Sequence, residues 1–387
     1  MEPSPPELLE EIVEEVLLRF PPDDPASLVR AALVCRLWRR LVSAATFRRR
    51  FREFHFHRTA PLLGALCPGR AGAGDLRPTS RFVPTSSFRP PHAARYGWNA
   101  VDARRGRVLL ERWPWGSGPL RTELAVWDPA TGEQRELPSL PMELNVYPRS
   151  WAAAVLCAAA GNCDHLDCRW GSFLVVFVEI EHDSNKICSR IYSSELAAWG
   201  EQTFSDLRCR HDHDHCFKPE PGVLMGNALY FLFNSNHGIV RYDLTTREAS
   251  TIDMRPAFHP QHIVLMTMDD GRLGFAAMED NNCGLKLNLW SRVVGGDDDK
   301  DARFVRCRVI DLPKALNAPK VSPHASGFAH GAGVLFIWTF DGLYSMDIKS
   351  EELREVPGTR YCHGFANVVP YLSFHTPAGT ALLLYDR

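Results

Sequence analysis

The chain has 387 residues, with 44 Lys and Arg against 46 Asp and Glu, so its formal net charge is -2. This length exceeds one ordinary domain of about 100–200 residues, and we therefore expect two units. With 45% hydrophobic and 23% charged residues, the composition is that of a globular protein and excludes wholesale disorder and collagen. The near-neutral charge balance supplies no excess of basic residues, so we expect no nucleic-acid partner.

The longest apolar runs are too short to span a membrane. Residues 151–160 and 173–178 are such runs, whereas a spanning helix needs about 18 or more apolar residues. We therefore expect no membrane partner. The acidic, proline-rich start of the chain is unlike a signal peptide, and an odd number of cysteines, 11, favours free thiols in a reducing compartment. The expected location is cytoplasmic, nuclear or both.

The first fifty residues have a helical pattern. Apolar residues from Leu8 to Leu17 recur at spacings of three and four with glutamates between them, which predicts an amphipathic helix. Pro21-Pro22 ends this helix, and Asp24-Pro25 begins another, with Asp as N-cap and Pro at the first helical position. Two further helical runs follow, and the basic stretch in the last of them is interpreted as a solvated helix face. The sequence predicts a small helical module over residues 5–54.

The remainder of the chain is predicted to be β structure. Beyond a Gly-, Pro- and Arg-rich stretch, short runs of β-branched and aromatic residues alternate with turn residues. Three segments also repeat one pattern, in which Ser or Thr lies three positions after an Asp and Glu lies five positions after it. These Asp residues are Asp128, Asp243 and Asp347. Asp and Ser/Thr side chains can hold a tight turn by bonding local backbone N–H groups, so the pattern predicts a repeated hairpin.

The spacing of these hairpins predicts a β-propeller. The Asp residues are 115 and 104 positions apart, about twice the ~40–50 residues of one propeller blade. A degenerate blade is therefore expected in each gap, around residues 191–194 and 289–291. About 300 residues at roughly 50 per blade give six blades over residues 91–387. Residues 55–90 are assigned to a linker with a propeller-closing strand.

The predicted fold is thus mainly β, with a small N-terminal α module followed by a six-bladed β-propeller. Closure is expected to pair residues 381–385 with residues near 81–88. Five blades, seven blades and a β-sandwich remain as alternatives, because only closure of the ring distinguishes them.

The helical segment resembles an F-box, the module that docks onto the Skp adaptor of cullin-RING ubiquitin ligases. The resemblance is carried by the sequence PPELLEEIVEEVLLRFPPDDPASLVRAALVCRLWRRLV. It implies that the chain binds an Skp-type adaptor and, through it, a cullin-RING ligase. The residues that match the family pattern, and that are expected to contact the adaptor, are Pro6, Leu8, Leu9, Ile12, Leu28, Val34, Cys35, Trp38 and Leu41. The usual Leu-Pro opening reads Pro5-Pro6 here, so one anchor side chain is missing.

The β region is similar to the kelch-like propeller of plant F-box proteins, in phrases such as LAVWDPATGEQRELP and VVPYLSFHTP. This resemblance implies a substrate receptor, in which the propeller recruits a protein substrate whose identity the sequence does not give. One alternative is a propeller scaffold whose degenerate F-box recruits no ligase. Another is a propeller enzyme, with acidic residues around its central channel. The sequence contains no G-x-S-x-G, H-E-x-x-H, P-loop or G-x-G-x-x-G motif, so we expect no catalytic residues and no cofactor.

Two segments are rich in residue types that bind zinc. They are residues 163–168, with Cys157 nearby, and residues 209–216. Zinc favours four tetrahedral ligands at paired Cys and His spacings, and neither segment quite matches them. A site shared between the two segments is an alternative, because both flank the same predicted blade. We interpret both as polar loops and expect no metal site.

Overall fold

Four helices form the N-terminal part of the computed structural model. The model describes residues 9–55, 60–72, 75–112, 122–140, 150–159, 163, 165, 168–181, 186–206, 216–234, 238–254, 263–281, 284–293, 303–313, 316, 323–359 and 367–377. The helices are α1 (Glu10–Leu18), α2 (Pro25–Val34), α3 (Arg36–Ser43) and α4 (Ala45–Phe54). None of these described helices is long and apolar enough to cross a membrane.

The helices enclose a small apolar core. Val13 and Leu17 of α1 pack with Leu28 of α2 and with Phe47 and Phe51 of α4, and all five side chains are buried. The predicted start of α2 is confirmed, with Pro25 as its first residue and Asp24 before it. The Asp24 carboxylate accepts hydrogen bonds from the hydroxyls of Ser27 and Ser87.

The rest of the described chain forms six antiparallel sheets arranged as the blades of a propeller. The first strands along the chain are β1 (Leu62–Gly72), β2 (Asp75–Pro84) and β3 (Ala94–Tyr96). The next sheets are β4 (Trp98–Arg104), β5 (Arg107–Arg112), β6 (Glu123–Trp127) and β7 (Gln134–Glu136), then β8 (Trp151–Cys157), β9 (Phe173–Glu181), β10 (Lys186–Ser193), β11 (Ala198–Trp199) and β12 (Thr203–Asp206). If the sheet of β4–β7 is counted as the first and that of β8–β12 as the second, the third sheet contains β13 (Val223–Met225), β14 (Ala228–Leu232), β15 (Gly238–Asp243) and β16 (Ala249–Asp253). The fourth contains β17 (Ile263–Thr267), β18 (Leu273–Asn281), β19 (Gly284–Val293) and β20 (Arg303–Asp311). The last strands are β21 (His324–Ala329), β22 (Val334–Thr339), β23 (Gly342–Asp347), β24 (Leu353–Glu355) and β25 (Val369–Leu372).

The ring closes in a sheet with the strand order β25-β1-β2-β3. Its innermost strand comes from the C-terminal part of the chain, and β25 pairs with β1 in the register Gly64↔Tyr371 and Leu66↔Val369. The predicted partner of the closing strand was residues 81–88, but residues up to 84 belong to β2, which pairs with β1. Residues 381–385 lie outside the described residues. The stretch 55–90, interpreted as a linker with a closing strand, contains both β1 and β2.

The six-bladed architecture predicted from the hairpin repeat is confirmed. The residues around 191–194 and 289–291 lie in or directly after β10 and β19, the third strands of the second and fourth sheets. Six apolar clusters each join buried residues of two neighbouring sheets. The core therefore lies between the blades, because each described sheet buries both of its faces against its neighbours.

The repeated hairpins form as the sequence predicts, each between the third and fourth strand of a sheet. Asp128 Oδ1 accepts the backbone N–H of Ala130 at 2.8 Å. Asp243 Oδ1 accepts that of Thr245 at 2.9 Å, and Asp347 Oδ1 accepts that of Lys349 at 2.8 Å. Each Asp therefore holds its own turn, which accounts for the repeat in structural terms.

The helical module packs against the propeller beside the closing sheet. Ser87, which follows β2, binds Asp24 and also accepts the backbone N–H of Ala26 at 3.1 Å. Phe374, two residues after the end of β25, packs against the core of the module. Arg52 of α4 is buried and lines the end of the central cavity of the propeller. The module thus covers one end of the propeller axis.

The buried Glu179 of β9 gives a prediction about pH. Burial raises the pKa of Glu179 from 4.5 to about 7; the nearby Glu181 also raises it, and Arg190 opposes the shift. Between these two values the unfolded chain releases the Glu179 proton while the folded chain retains it, so stability falls as the pH rises and stays lower above about pH 7. Glu179→Gln is therefore expected to raise the free energy of unfolding by up to about 3 kcal/mol at about pH 8, and to change it little at about pH 4.5.

Urea unfolding of the wild type and of Glu179→Gln at the two pH values checks this prediction. The exposed Glu195, in the turn after β10, provides the matched control, Glu195→Gln. The raised pKa requires the difference in free energy of unfolding between Glu179→Gln and the wild type to grow with pH. An equal difference at both pH values would therefore contradict the prediction.

Candidate functional site

An exposed apolar stripe runs along α1. Leu9 is 64% exposed, Ile12 is 47% exposed and Val16 is 49% exposed. Their spacings of three and four place them on one face of the helix, while Val13 and Leu17 point into the core. A contiguous set of large aliphatic side chains in water is typical of an interaction surface.

A second apolar patch lies at the end of α2. Leu33 and Val34 are exposed there, Val34 by 65%. Beside them is a surface cavity of about 440 Å³, lined in part by Phe20, Val34 and Trp38. Trp38 is half-buried, so its ring packs on the core and also forms part of the cavity wall.

The predicted adaptor-contacting residues are in different surroundings. Those exposed at the surface are Leu9, Ile12, Val34 and Cys35. Trp38 and Leu41 are half-buried against the core, and Leu28 is fully inside it. Pro6 and Leu8 lie outside the described residues. The sequence prediction did not include Val16 or Leu33, although Val16 follows Leu9 and Ile12 at helical spacing.

Ion pairs fix α1 against α3 and α4. Arg40 of α3 binds Glu10 at 2.5 Å, and Arg50 of α4 binds Glu14 at 2.8 Å and Glu15 at 2.7 Å. Such exposed pairs are each worth at most about 1 kcal/mol, so their main effect is to orient the helix. They also show that Arg50, in the basic stretch of α4, faces carboxylates on α1.

A central cavity of about 480 Å³ lies on the propeller axis, at the end covered by the helical module. Asp102 of β4 is buried there and accepts Arg104 Nε at 2.9 Å and the backbone N–H of Val155 at 2.9 Å. Burial, with a smaller contribution from Arg104, lowers the pKa of His330 to about 3. Among the described lining residues, Asp102 is the one carboxylate; a glycosidase site needs two.

Three cysteines and a histidine meet at the wall of this cavity. One ligand atom from each of Cys157, Cys163, His165 and Cys168 lies within 4.8 Å of all the others. Cys157 ends β8 and pairs with Phe173 at the start of β9. The two ends of the β8–β9 loop therefore lie side by side. Burial, together with the two neighbouring thiols, raises the pKa of the Cys168 thiol to about 12.

Two arginines bind this loop to the neighbouring sheet. Arg107 of β5 donates to the carbonyl oxygens of Cys168 at 2.7 Å and Arg169 at 2.8 Å. Arg169 in turn donates from Nε to Asp128 Oδ2 at 2.8 Å, while Asp128 Oδ1 holds the β6–β7 turn. In the second predicted ligand-rich segment, residues 209–215 lie outside the described residues, and Cys216 is buried outside this group.

Comparison with known proteins identifies the helical module but not the function of the propeller. The F-box domain family matches residues 6–50. No curated protein sequence matches the chain. Among solved structures, one from an analysis of two prolyl endopeptidases has a TM-score of 0.37 and 12% identity, covering 76% of this chain and 39% of that one.

Other solved structures are similarly distant. Penicillium chrysogenum α-L-arabinanase with arabinobiose has a TM-score of 0.37 and 10% identity, covering 71% of this chain and 80% of that one. A chain of a nidogen/laminin complex has a TM-score of 0.40 and 9% identity, covering 80% and 97%. These similarities are too weak to support any functional inference. The chain therefore carries an F-box domain at residues 6–50, joined to a six-bladed β-propeller.

Proposed function

We propose that this protein is a substrate receptor of an Skp–cullin–F-box ubiquitin ligase. The F-box binds the Skp-type adaptor, and the propeller binds the protein to be ubiquitylated. The combination of an F-box with a propeller fits such a receptor in general. The observation that carries the proposal is the exposed apolar stripe of Leu9, Ile12 and Val16 on the F-box.

The stripe and the α2 patch have the features of a docking surface. Burying an exposed aliphatic side chain in an interface contributes roughly 1.5–3 kcal/mol, and the F-box leaves several such side chains in water. The Trp38 ring, which lines the surface cavity beside the end of α2, is the type of aromatic anchor that dominates many interfaces. Because Leu28 belongs to the core, its contribution to docking is to hold α2 in place.

The position of the F-box supports a proposal about which face of the propeller binds the substrate. The turns between the first and second strands, such as that at His330 and Gly331, line the cavity end covered by Arg52 and Phe374. In an antiparallel sheet, the turns between the second and third strands lie at the opposite end. Phe340 lies in such a turn, between β22 and β23, and is exposed. We place the substrate on this opposite face, which the F-box leaves uncovered.

The mechanism that follows is proximity. A substrate held on the propeller has a raised effective concentration near a ubiquitin-loaded enzyme bound elsewhere on the ligase. The residues of this chain bind and orient, and the ligase partners carry out the bond chemistry.

The test is binding of the full chain to a purified Skp-type adaptor, measured by calorimetry. Leu9→Asp and Val34→Asp place a charge on each apolar patch and are expected to weaken binding at least about tenfold. Leu196→Asp is the matched control, because Leu196 lies in the β10–β11 turn of the propeller and is 79% exposed. Failure of the wild type to bind, or unchanged binding by both F-box variants, would refute the docking assignment.

A scaffold that recruits no ligase is the second candidate, favoured by the Pro5-Pro6 opening, where one family anchor is missing. Isolation of the protein from cells distinguishes the two functions. The scaffold predicts propeller partners without cullin, whereas the receptor predicts both.

A further inference from the structure

We propose that Cys157, Cys163, His165 and Cys168 bind one Zn²⁺ ion in a tetrahedral site that fixes the β8–β9 loop at the wall of the central cavity. The proposal is independent of the F-box and concerns the propeller alone. It also revises the expectation from the sequence that these residues belong to a polar loop.

The distances fit a zinc site. Zinc bonds of about 2.3 Å to sulfur and about 2.0 Å to nitrogen place the ligand atoms of a tetrahedral Cys₃His site roughly 3.5–3.8 Å apart. The four ligand atoms already lie within 4.8 Å of one another. A small movement of side chains therefore brings all four to bonding distance. Cys157 is held by the β8–β9 pairing, and the other three ligands come from the adjoining loop.

The donor set selects zinc and a structural role. Thiolate and imidazole ligands in a tetrahedral arrangement are characteristic of Zn²⁺, and Cys₃His is one of its common structural sets. Four protein ligands fill the tetrahedron and leave no position for a water or a substrate. Binding releases three thiol protons, so the ion with its ligands carries a net charge of -1.

The surroundings suit that charge. The backbone N–H of His165 donates to Cys163 Sγ at 3.3 Å, an interaction that favours a thiolate. The guanidinium of Arg107 donates to the carbonyl oxygen of the ligand Cys168 at 2.7 Å. A buried cation at this distance from the loop compensates the negative site.

The site has a consequence for the propeller. Arg169 follows the ligand Cys168 directly, and its guanidinium binds Asp128 of the preceding sheet. An ion that fixes Cys168 therefore also fixes Arg169, which connects two neighbouring blades at the cavity end next to the F-box. Zinc would thus act as a cross-link where the blades support the F-box.

Metal analysis of the full chain, purified under reducing conditions from zinc-supplemented cells, tests the proposal. About one zinc per chain is expected in the wild type, with loss of most of it in Cys163→Ser and His165→Asn. Both substitutions lie at half-buried positions, which limits damage to the core. Cys307→Ser, at an exposed cysteine outside the group, is the matched control and is expected to retain zinc. Wild-type protein without zinc, or both variants retaining it, would overturn the proposal.

Cobalt spectroscopy decides the question even if the variants fail to fold. Co²⁺ is added to wild-type full chain from which metal has been removed by a chelator. The proposed site predicts strong visible bands of tetrahedral cobalt together with thiolate charge-transfer absorption, and both should disappear when Zn²⁺ is added. A weak spectrum without charge transfer would show that no such site forms. Mass spectrometry that finds a disulfide among the three cysteines under reducing conditions would also reject it.

Discussion

Tyr371→Ala is expected to lower the free energy of unfolding of the propeller by about 3–5 kcal/mol, as for other large buried aromatic residues. Tyr371 lies on the closing strand β25 and is fully buried. Its ring packs on Phe82 at 5.6 Å and on Phe88 at 6.0 Å, and its hydroxyl donates to the carbonyl oxygen of Gly106 at 3.3 Å. One side chain therefore joins both termini of the β region to the first complete blade, and its loss should open the ring where it closes.

Two further variants separate closure from general loss of packing. Tyr371→Phe keeps the ring and loses one long hydrogen bond, so a cost of about 1 kcal/mol or less is expected. Tyr242→Ala removes an equally buried tyrosine from β15, within a continuous part of the chain. Hydrogen exchange should rise in β1 and β25 for Tyr371→Ala and remain unchanged there for Tyr242→Ala. Equal protection of β1 and β25 in both variants would contradict a role for Tyr371 in closure.

The sequence predicted the parts of the fold that depend on local chemistry. The Asp128, Asp243 and Asp347 turns use bonds within three residues, so their pattern is visible in the chain, and its spacing predicts six blades without excluding five or seven. The closing strands were harder to predict from the sequence. β1 and β2 contain the Gly, Pro and Arg residues that are typical of a linker, and they are ordered by pairing with each other and with β25. The pairing of β1 with β25 joins residues about 300 positions apart and leaves no local pattern.

The candidate sites were predictable to different extents. Helical spacing identifies apolar residues on α1 and α2, but it does not distinguish Leu28 in the core from Val34 at the surface. That difference depends on how the four helices pack. The zinc-ligand types around residues 163–168 were visible, whereas the return of the loop to Cys157 follows from the register of β8 with β9. Spacing rules describe ligands on one short loop, and this group also draws on the end of a strand.

Asp102→Ala is expected to lower the free energy of unfolding by about 3–5 kcal/mol, because it leaves the partner of a buried ion pair without its counter-charge. Asp102 is fully buried and Arg104 is largely buried. The carboxylate also accepts the backbone N–H of Val155 in the inner strand of the next sheet, and Arg104 donates to the carbonyl oxygen of Gly222 beyond it. The substitution therefore removes a connection that runs from the first sheet to the second and the third.

The closest control in geometry is Asp270→Ala. Asp270 also binds the arginine two positions after it, with Arg272 Nε at 2.7 Å, but this pair is exposed in the β17–β18 turn. Exposed pairs contribute about 1 kcal/mol or less, so a much smaller loss is expected from urea unfolding. Asp102→Asn should fall between the two, since its amide oxygen can still accept the Val155 N–H. If Asp102→Ala costs no more than Asp270→Ala, the buried pair does not hold the inner strands together, and the apolar clusters between the blades must supply that cohesion.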